Sequence, residues 1–178
     1  MSVSDPVERH LEVVRTARHW VLGEGAARSG EVWFVLHGYQ QLARRFLERF
    51  EGLADGTRVI VAPEALSRFY KDQTPGRHGP ESPVGAAWMT REDREREIGD
   101  YVRYLDALAD RVLGPLRPGP RVTVLGFSQG VATAARWTVL GRTRPRRGRK
   151  RLPAWRPPVC PCAVSPTRAD TRSTRPRS

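Results

Sequence analysis

Cysteine is nearly absent from this 178-residue chain: Cys160 and Cys162 are the two present, too few and too close together for a disulfide framework. No apolar run approaches the roughly 18–20 residues that a transmembrane helix needs. The first ten residues show no basic segment followed by an apolar stretch, so we predict no secretory signal. These absences exclude disulfide-stapled and membrane-spanning classes and favour a cytoplasmic protein.

Acidic residues are scarce at one end of the chain. The whole sequence has 31 Lys and Arg against 19 Asp and Glu, a net charge of +12. Residues 142–178 contain eleven arginines, Lys150 and one carboxylate, Asp170, and therefore carry eleven of the twelve net charges. They also hold seven of the 15 prolines. The sequence pI near 11.1 thus describes these residues, because residues 1–141 are close to neutral.

This break in composition predicts a partial α/β domain over 1–141 and a disordered basic tail over 142–178. The tail has no apolar period, so it cannot bury enough surface to offset the entropy of ordering. Three interpretations stay open: plain disorder, a basic arm for nucleic acid or an anionic membrane, and out-of-frame translation of a GC-rich gene. Nucleic-acid binding is the least favoured, because Trp155 is the one aromatic residue and no base-reading module accompanies it.

Short apolar runs alternate with amphipathic segments before residue 142. The pattern predicts strands over 16–22, 31–36, 58–62 and 121–125, helices over 41–52, 91–113 and 129–140, and a long loop over 63–89. Such alternation is typical of a mostly parallel sheet with helices on both faces. The first two strands are predicted to pair antiparallel.

The segment Gly126-Phe-Ser-Gln-Gly130 fits the pattern G-x-S-x-G. It directly follows a predicted strand and opens a predicted helix, which is the context that a nucleophilic serine on a tight turn requires. Gly126 and Gly130 leave room for the close approach of strand and helix. The helix N-terminus would place unpaired N–H groups near an oxyanion. The alternative is an ordinary glycine-bounded loop.

A second motif, His37-Gly38-Tyr39, follows the strand over 31–36. Parallel strands would bring it to the same sheet edge as Ser128, where ligands bind in open α/β sheets. Gly38 would let the backbone turn so that the N–H of Tyr39, paired with that of Gln129, forms an oxyanion hole. We interpret His37 as a hydrogen-bonded structural residue rather than a catalytic one.

Together these motifs resemble the phospholipase/carboxylesterase branch of the α/β-hydrolase superfamily, which includes acyl-protein thioesterases. The resemblance covers roughly residues 14–141 and extends to Val61-Ala-Pro-Glu64 and Gly85-Ala-Ala-Trp-Met89. It implies a serine hydrolase that cleaves a small-molecule carboxylic ester or thioester without metal or organic cofactor. It also implies Ser128 as nucleophile, and Trp88 with Met89 at the substrate pocket. Gln40 departs from the Gly-rich form of this turn.

The residues that should activate Ser128 are missing from the sequence. In the fold that the resemblance implies, Asp or Glu and then His follow the serine, yet no histidine follows Ser128 and Asp170 is the one later carboxylate. His10 and His19, upstream of Ser128, are interpreted as surface residues. A relocated base at His78, in the loop over 63–89, stays an alternative that no spacing supports. We therefore expect a truncated or frame-shifted hydrolase, nearly inactive, with the C-terminal half of its sheet missing.

Two other functions stay open. The first alternative to a hydrolase is a non-catalytic α/β module that binds an acyl group or a partner. The second is a nucleic-acid binder that acts through residues 142–178. The pattern does not specify the acyl or alcohol group or the oligomeric state.

Overall fold

The computed structural model describes residues 5–23, 30–72, 77–116 and 119–141. In chain order its elements are β1 (His19–Leu22), β2 (Glu31–Leu36), α1 (Ala43–Leu47), a 3₁₀ segment (Glu48–Leu53), β3 (Arg58–Pro63), β4 (Ser67–Tyr70), β5 (Val84–Ala87), α2 (Arg94–Leu113), β6 (Arg121–Gly126) and α3 (Gln129–Leu140). The fold is mixed α/β, as the alternation of apolar strands and amphipathic helices predicts.

The main sheet has the strand order β1-β3-β2-β6. β2 is parallel to both β3 and β6, whereas β1 is antiparallel and pairs with β3. The mostly parallel sheet is confirmed. The predicted pairing of the first two strands is wrong, because partner choice depends on contacts remote in sequence that a local pattern does not encode.

Alternating residues of β2 supply two apolar layers. Val32, Phe34 and Leu36 pack on the side that holds α2 and α3, and Val35 packs against α1 on the other side. Successive side chains of a strand point to opposite faces, so β2 is buried from both sides. Helices therefore cover both faces of the sheet.

The strand predicted over 16–22 and the helix predicted over 91–113 each begin three residues later in the structure, and three further features differ. The helix predicted over 41–52 is α-helical over Ala43–Leu47 alone and continues as the 3₁₀ segment, since either geometry buries Phe46, Leu47 and Phe50. The loop predicted over 63–89 contains β4 and β5, which pair antiparallel. Both strands are four residues long with little apolar alternation, so they gave no detectable period. The spacing of Thr90 and Asp93 predicts a capping pair at the start of the helix over 91–113; Asp93 is the N-cap of α2 but makes no side-chain capping bond.

Among the described strands, β6 pairs with β2 and forms an edge of the sheet. The described helices include none both long and apolar enough to cross a bilayer. The predictions for residues 142–178, including the disordered tail and the missing half of the sheet, lie outside the described residues.

Candidate active site

The parallel register brings the two sequence motifs together. Leu36, the last residue of β2, is paired with Gly126, the last residue of β6. The N–H of Phe127 donates to the carbonyl oxygen of Leu36 at 3.0 Å, which extends the ladder by one bond. Residues that follow parallel strands emerge at the same edge, so Gly38 and Ser128 lie next to each other.

Ser128 stands in a strained turn between β6 and α3. Its φ of 52° and ψ of −118° lie in a region that L-residues with a side chain rarely occupy. The residue is exposed, and no described residue hydrogen-bonds its hydroxyl. Strain of this kind persists where surrounding structure imposes it, and a sharp strand-to-helix turn presents a serine hydroxyl to a ligand.

Two close contacts between backbone segments, at Gly126 and at Gly130, hold the turn at Ser128 in its strained conformation. A Cβ on Gly126 would overlap the carbonyl of Gly130, and a Cβ on Gly130 would overlap the carbonyl of Leu36. In both cases the obstacle is backbone, which no side-chain rotation can move. Glycine at both positions is therefore a steric requirement of the turn.

The turn after β2 lies against Ser128. A Cβ built on Gly38 would be 3.1 Å from the Ser128 Cβ and 3.0 Å from the Phe127 ring. Among the described residues, the backbone N–H groups of Tyr39 and Gln129 have no hydrogen-bond acceptor. Gln40, the residue noted as departing from a Gly-rich turn, has a φ of 63°. The corner thus combines an exposed hydroxyl with two unsatisfied donors.

His37 is fully buried and hydrogen-bonded through both ring nitrogens. Nε2 accepts from the Ala65 N–H at 3.1 Å, so Nδ1 carries the proton and donates to the Gly38 carbonyl at 2.8 Å. Burial lowers the pKa of His37, against opposing effects of the Gly38 bond and the nearby Glu64 carboxylate. A neutral ring with both nitrogens engaged holds the turn and is not placed to take a proton from Ser128.

The lowered pKa of His37 predicts acid sensitivity. The unfolded chain binds a proton near pH 6.5 and the folded chain resists it, so stability is lost as the pH falls below about 6.5. The loss is at most about 1.4 kcal/mol per pH unit. His37→Asn retains a donor near the Nδ1 position but does not titrate. Urea unfolding at several pH values should show a shallower acid loss for the variant; parallel profiles would contradict the assignment.

The other histidines make contacts of their own. The Nδ1 of His78 is 3.3 Å from Asp72 Oδ1, and its ring stacks on Tyr70. The Nε2 of His10 is 3.0 Å from a carboxylate oxygen of both Glu8 and Asp93. Of the described residues, these last three form the one group with metal-ligand spacing, and all are exposed. None of these contacts involves Ser128.

Trp88, predicted to wall a substrate pocket, is 2% exposed. Its indole N–H donates to the His37 carbonyl at 2.8 Å, which fixes the ring beneath the turn. A cavity of about 840 Å³ is bordered by Trp88 and by the start of α2, but its lining does not include Ser128. Met89 is half-buried. Their roles in substrate binding stay predictions.

Sequence reasoning missed two side chains. Gln129 was selected for its backbone N–H, yet its amide also accepts from the Trp88 N–H at 2.9 Å and donates to the Met89 carbonyl at 2.7 Å. Glu64 is 1% exposed; it accepts from the Arg18 guanidinium at 2.6 Å and from the Ala43 N–H at 3.2 Å. Glu64 stands in the segment Val61-Ala-Pro-Glu64, directly after a buried strand, but the sequence pattern assigned it no contact.

Comparison with known proteins gives no family. No protein-family model matches the chain, and no curated protein matches it. Among solved structures, the chain is similar to the crystal structure of esterase PE8, with 22% sequence identity and a TM-score of 0.45 over 68% of this chain. The chain spans 56% of that esterase's length. A likeness of this extent defines neither a family nor an activity.

Proposed function

We propose that this chain carries the nucleophile and oxyanion half of a serine hydrolase that cleaves a carboxylic ester or thioester. The observation that supports this most directly is Ser128: an exposed hydroxyl on a strained turn that opens a 12-residue helix. The positive end of the α3 dipole lies behind it. Asp93 also combines a positive φ with a helix N-terminus, but it carries a carboxylate; among the described residues, Ser128 alone adds a hydroxyl to these two features.

The reaction begins with attack of the Ser128 Oγ on the acyl carbonyl carbon. A C–O bond forms, the π electrons move to the carbonyl oxygen, and the N–H groups of Tyr39 and Gln129 stabilise this oxyanion. One such donor contributes about 3–4 kcal/mol in a preorganised site. Collapse expels the alkoxide or thiolate, which takes up a proton, and water then hydrolyses the acyl-serine.

The surroundings of Ser128 favour an apolar ester. Tyr39 is 49% exposed and Phe127 is 47% exposed, one on each of the two neighbouring turns. Tyr39 stacks on Phe69 with ring centroids 5.5 Å apart, which holds one aromatic face in place. Aromatic faces at the edge of the site can hold the acyl or alcohol group by burial of apolar surface.

No base is seen beside the Ser128 hydroxyl among the described residues: His37 bonds Gly38 and Ala65, and His78 and His10 lie against carboxylates. A serine hydroxyl is almost wholly protonated near pH 7, so attack needs a base. Hydroxide, or imidazole added to the solution, can take this proton. The proposal therefore predicts weak reactivity at neutral pH that an external base increases.

Covalent labelling tests the proposal. A fluorophosphonate forms an O–P bond to an activated serine and releases fluoride, and intact-mass and peptide analysis locate the adduct. We expect slow labelling at Ser128 that imidazole accelerates by about tenfold or more, part of the 10²–10⁴-fold that a positioned base contributes. Ser128→Ala should show no adduct. Ser82→Ala, at a serine that bonds Gly79 in a surface turn, should label like the wild type.

Failure of labelling would leave the second candidate, a non-catalytic acyl-binding module. The specific observation in its favour is that His37, His10 and His78 bond groups other than Ser128. A non-hydrolysable ether analogue that binds at the Ser128 turn, with no phosphonate adduct even in imidazole, would support this module and refute the hydrolase. Adducts confined to other serines would also refute the hydrolase.

A further inference from the structure

A single residue connects the two turns that carry the proposed oxyanion donors. The turn after β2 holds Tyr39, and the turn after β6 holds Gln129. Trp88 follows β5 and donates from its indole N–H to the His37 carbonyl at 2.8 Å. It also donates from its backbone N–H to the Gln129 side chain at 2.9 Å. One residue therefore hydrogen-bonds to both turns.

The Gln129 side chain makes the second connection rigid. Its oxygen accepts from the Trp88 backbone N–H and its nitrogen donates to the Met89 carbonyl at 2.7 Å, so the amide bonds the backbone of two consecutive residues. This occupies one acceptor and one donor of the amide and sets its orientation. The backbone N–H of the same residue has no described acceptor. The side chain thus holds the backbone while leaving the N–H available.

Packing fixes the Trp88 ring as well. It is 2% exposed, lies 5.2 Å from the His37 ring and meets Tyr101 edge-on at 6.2 Å between centroids. A buried indole with its N–H bonded has little freedom to rotate. The distance between the turn after β2 and the turn after β6 is therefore set in part by Trp88, whose side chain has little freedom to move.

We infer that Trp88, gripped by the Gln129 side chain, is a positioning residue that sets the separation of the Tyr39 and Gln129 N–H groups. This inference rests on the proposed hydrolase function. An oxyanion hole works when its donors are already in place before charge develops. Displacement of a reacting group by about 1 Å can cost about 100-fold in rate. Trp88 therefore acts through the donors and does not need to touch the substrate.

Matched tryptophan variants test the inference in the full chain. Trp88→Phe retains an aromatic ring but removes the indole N–H. Trp137→Phe makes the same change at another buried tryptophan, whose N–H donates to Asp106 at 3.0 Å, away from both turns. We expect Trp88→Phe to lower the fluorophosphonate labelling rate constant by about 10- to 100-fold with little change in probe affinity. Trp137→Phe should label within about twofold of the wild type.

A second variant tests the two hydrogen bonds that the Gln129 side chain makes to Trp88 and Met89. Gln129→Met keeps the backbone N–H but removes both side-chain bonds, and we expect a loss of labelling rate similar to that of Trp88→Phe. Equal losses in Trp88→Phe and Trp137→Phe would show a purely structural role and overturn the inference. A weaker affinity that varies with probe chain length, at an unchanged rate constant, would make Trp88 a pocket wall and also overturn it.

If the wild type forms no phosphonate adduct even in imidazole, the proposed hydrolase function is refuted and labelling rates cannot test the role of Trp88. Amide NMR tests that role independently of labelling. In Trp88→Phe the amide resonances of both Tyr39 and Gln129 should shift and their hydrogen exchange should change. In Trp137→Phe both should stay at their wild-type positions. Unchanged amides in Trp88→Phe would refute the connection whatever the labelling result.

Discussion

Gly130→Ala is expected to destabilise the chain by about 3 kcal/mol and to abolish labelling of Ser128. The added Cβ would overlap the carbonyl groups of Leu36 and His37, which belong to β2 and to the turn beside Ser128. Relief requires either β2 or the start of α3 to move. Either movement separates the hydroxyl from the Tyr39 and Gln129 donors. Urea denaturation gives the stability change, and phosphonate labelling gives the reactivity change.

Gly52→Ala is the matched control. A Cβ at Gly52 meets no atom within 4 Å, and its φ lies outside the left-handed region. The same methyl group should therefore leave stability within about 1 kcal/mol of the wild type, because only chain entropy changes. If the two alanine variants were equally stable, the close approach at Gly130 and the strained Ser128 turn would be refuted.

Phe34→Ala is expected to cost about 3–5 kcal/mol of folding stability. Phe34 is fully buried at the centre of β2 and meets Trp137 of α3 edge-on, with ring centroids 5.2 Å apart. Truncation removes buried apolar surface and leaves a cavity between the sheet and α3. Because domains of this kind are stable by about 5–15 kcal/mol, the loss should be evident in a denaturant midpoint.

Phe34→Leu tests whether the loss of stability in Phe34→Ala depends on the volume of the side chain that is removed. Leucine fills more of the space, so we expect a loss below about 1.5 kcal/mol. Val139→Ala provides a surface reference, since Val139 is 55% exposed on α3. Equal midpoints for Phe34→Ala and Val139→Ala would refute the packing of α3 on β2.

Elements with strong local patterns were predictable. The apolar run over 31–36 and the helical period over 129–140 match β2 and α3 in the structure. The strand predicted over 121–125 likewise matches β6 to within one residue. The strand and helix on either side of Ser128 were therefore correct from sequence, while the role of Ser128 stays a prediction. β4 and β5 escaped prediction because strands of four residues are too short for an apolar period to be recognised.

In the candidate site, too, local features were predictable from sequence and contacts between distant residues were not. The type and spacing of Gly126, Ser128 and Gly130 predicted a tight turn, because few residues other than glycine tolerate backbone at that distance. Gln129 was chosen for its backbone, and its side-chain grip on Trp88 was missed. That contact joins residues 41 positions apart, and nothing local in either segment signals it.

By itself, the sequence determined the alternation of strands and helices, the turn at Ser128 and the placement of Gly38 directly after a strand. These follow from side-chain period and from glycine's lack of a Cβ, which act over a few residues. The tertiary structure alone decided that β1 pairs with β3, that Trp88 lies in the core, and that it connects two turns. Those depend on pairing register and packing between distant segments, which local chemistry does not specify.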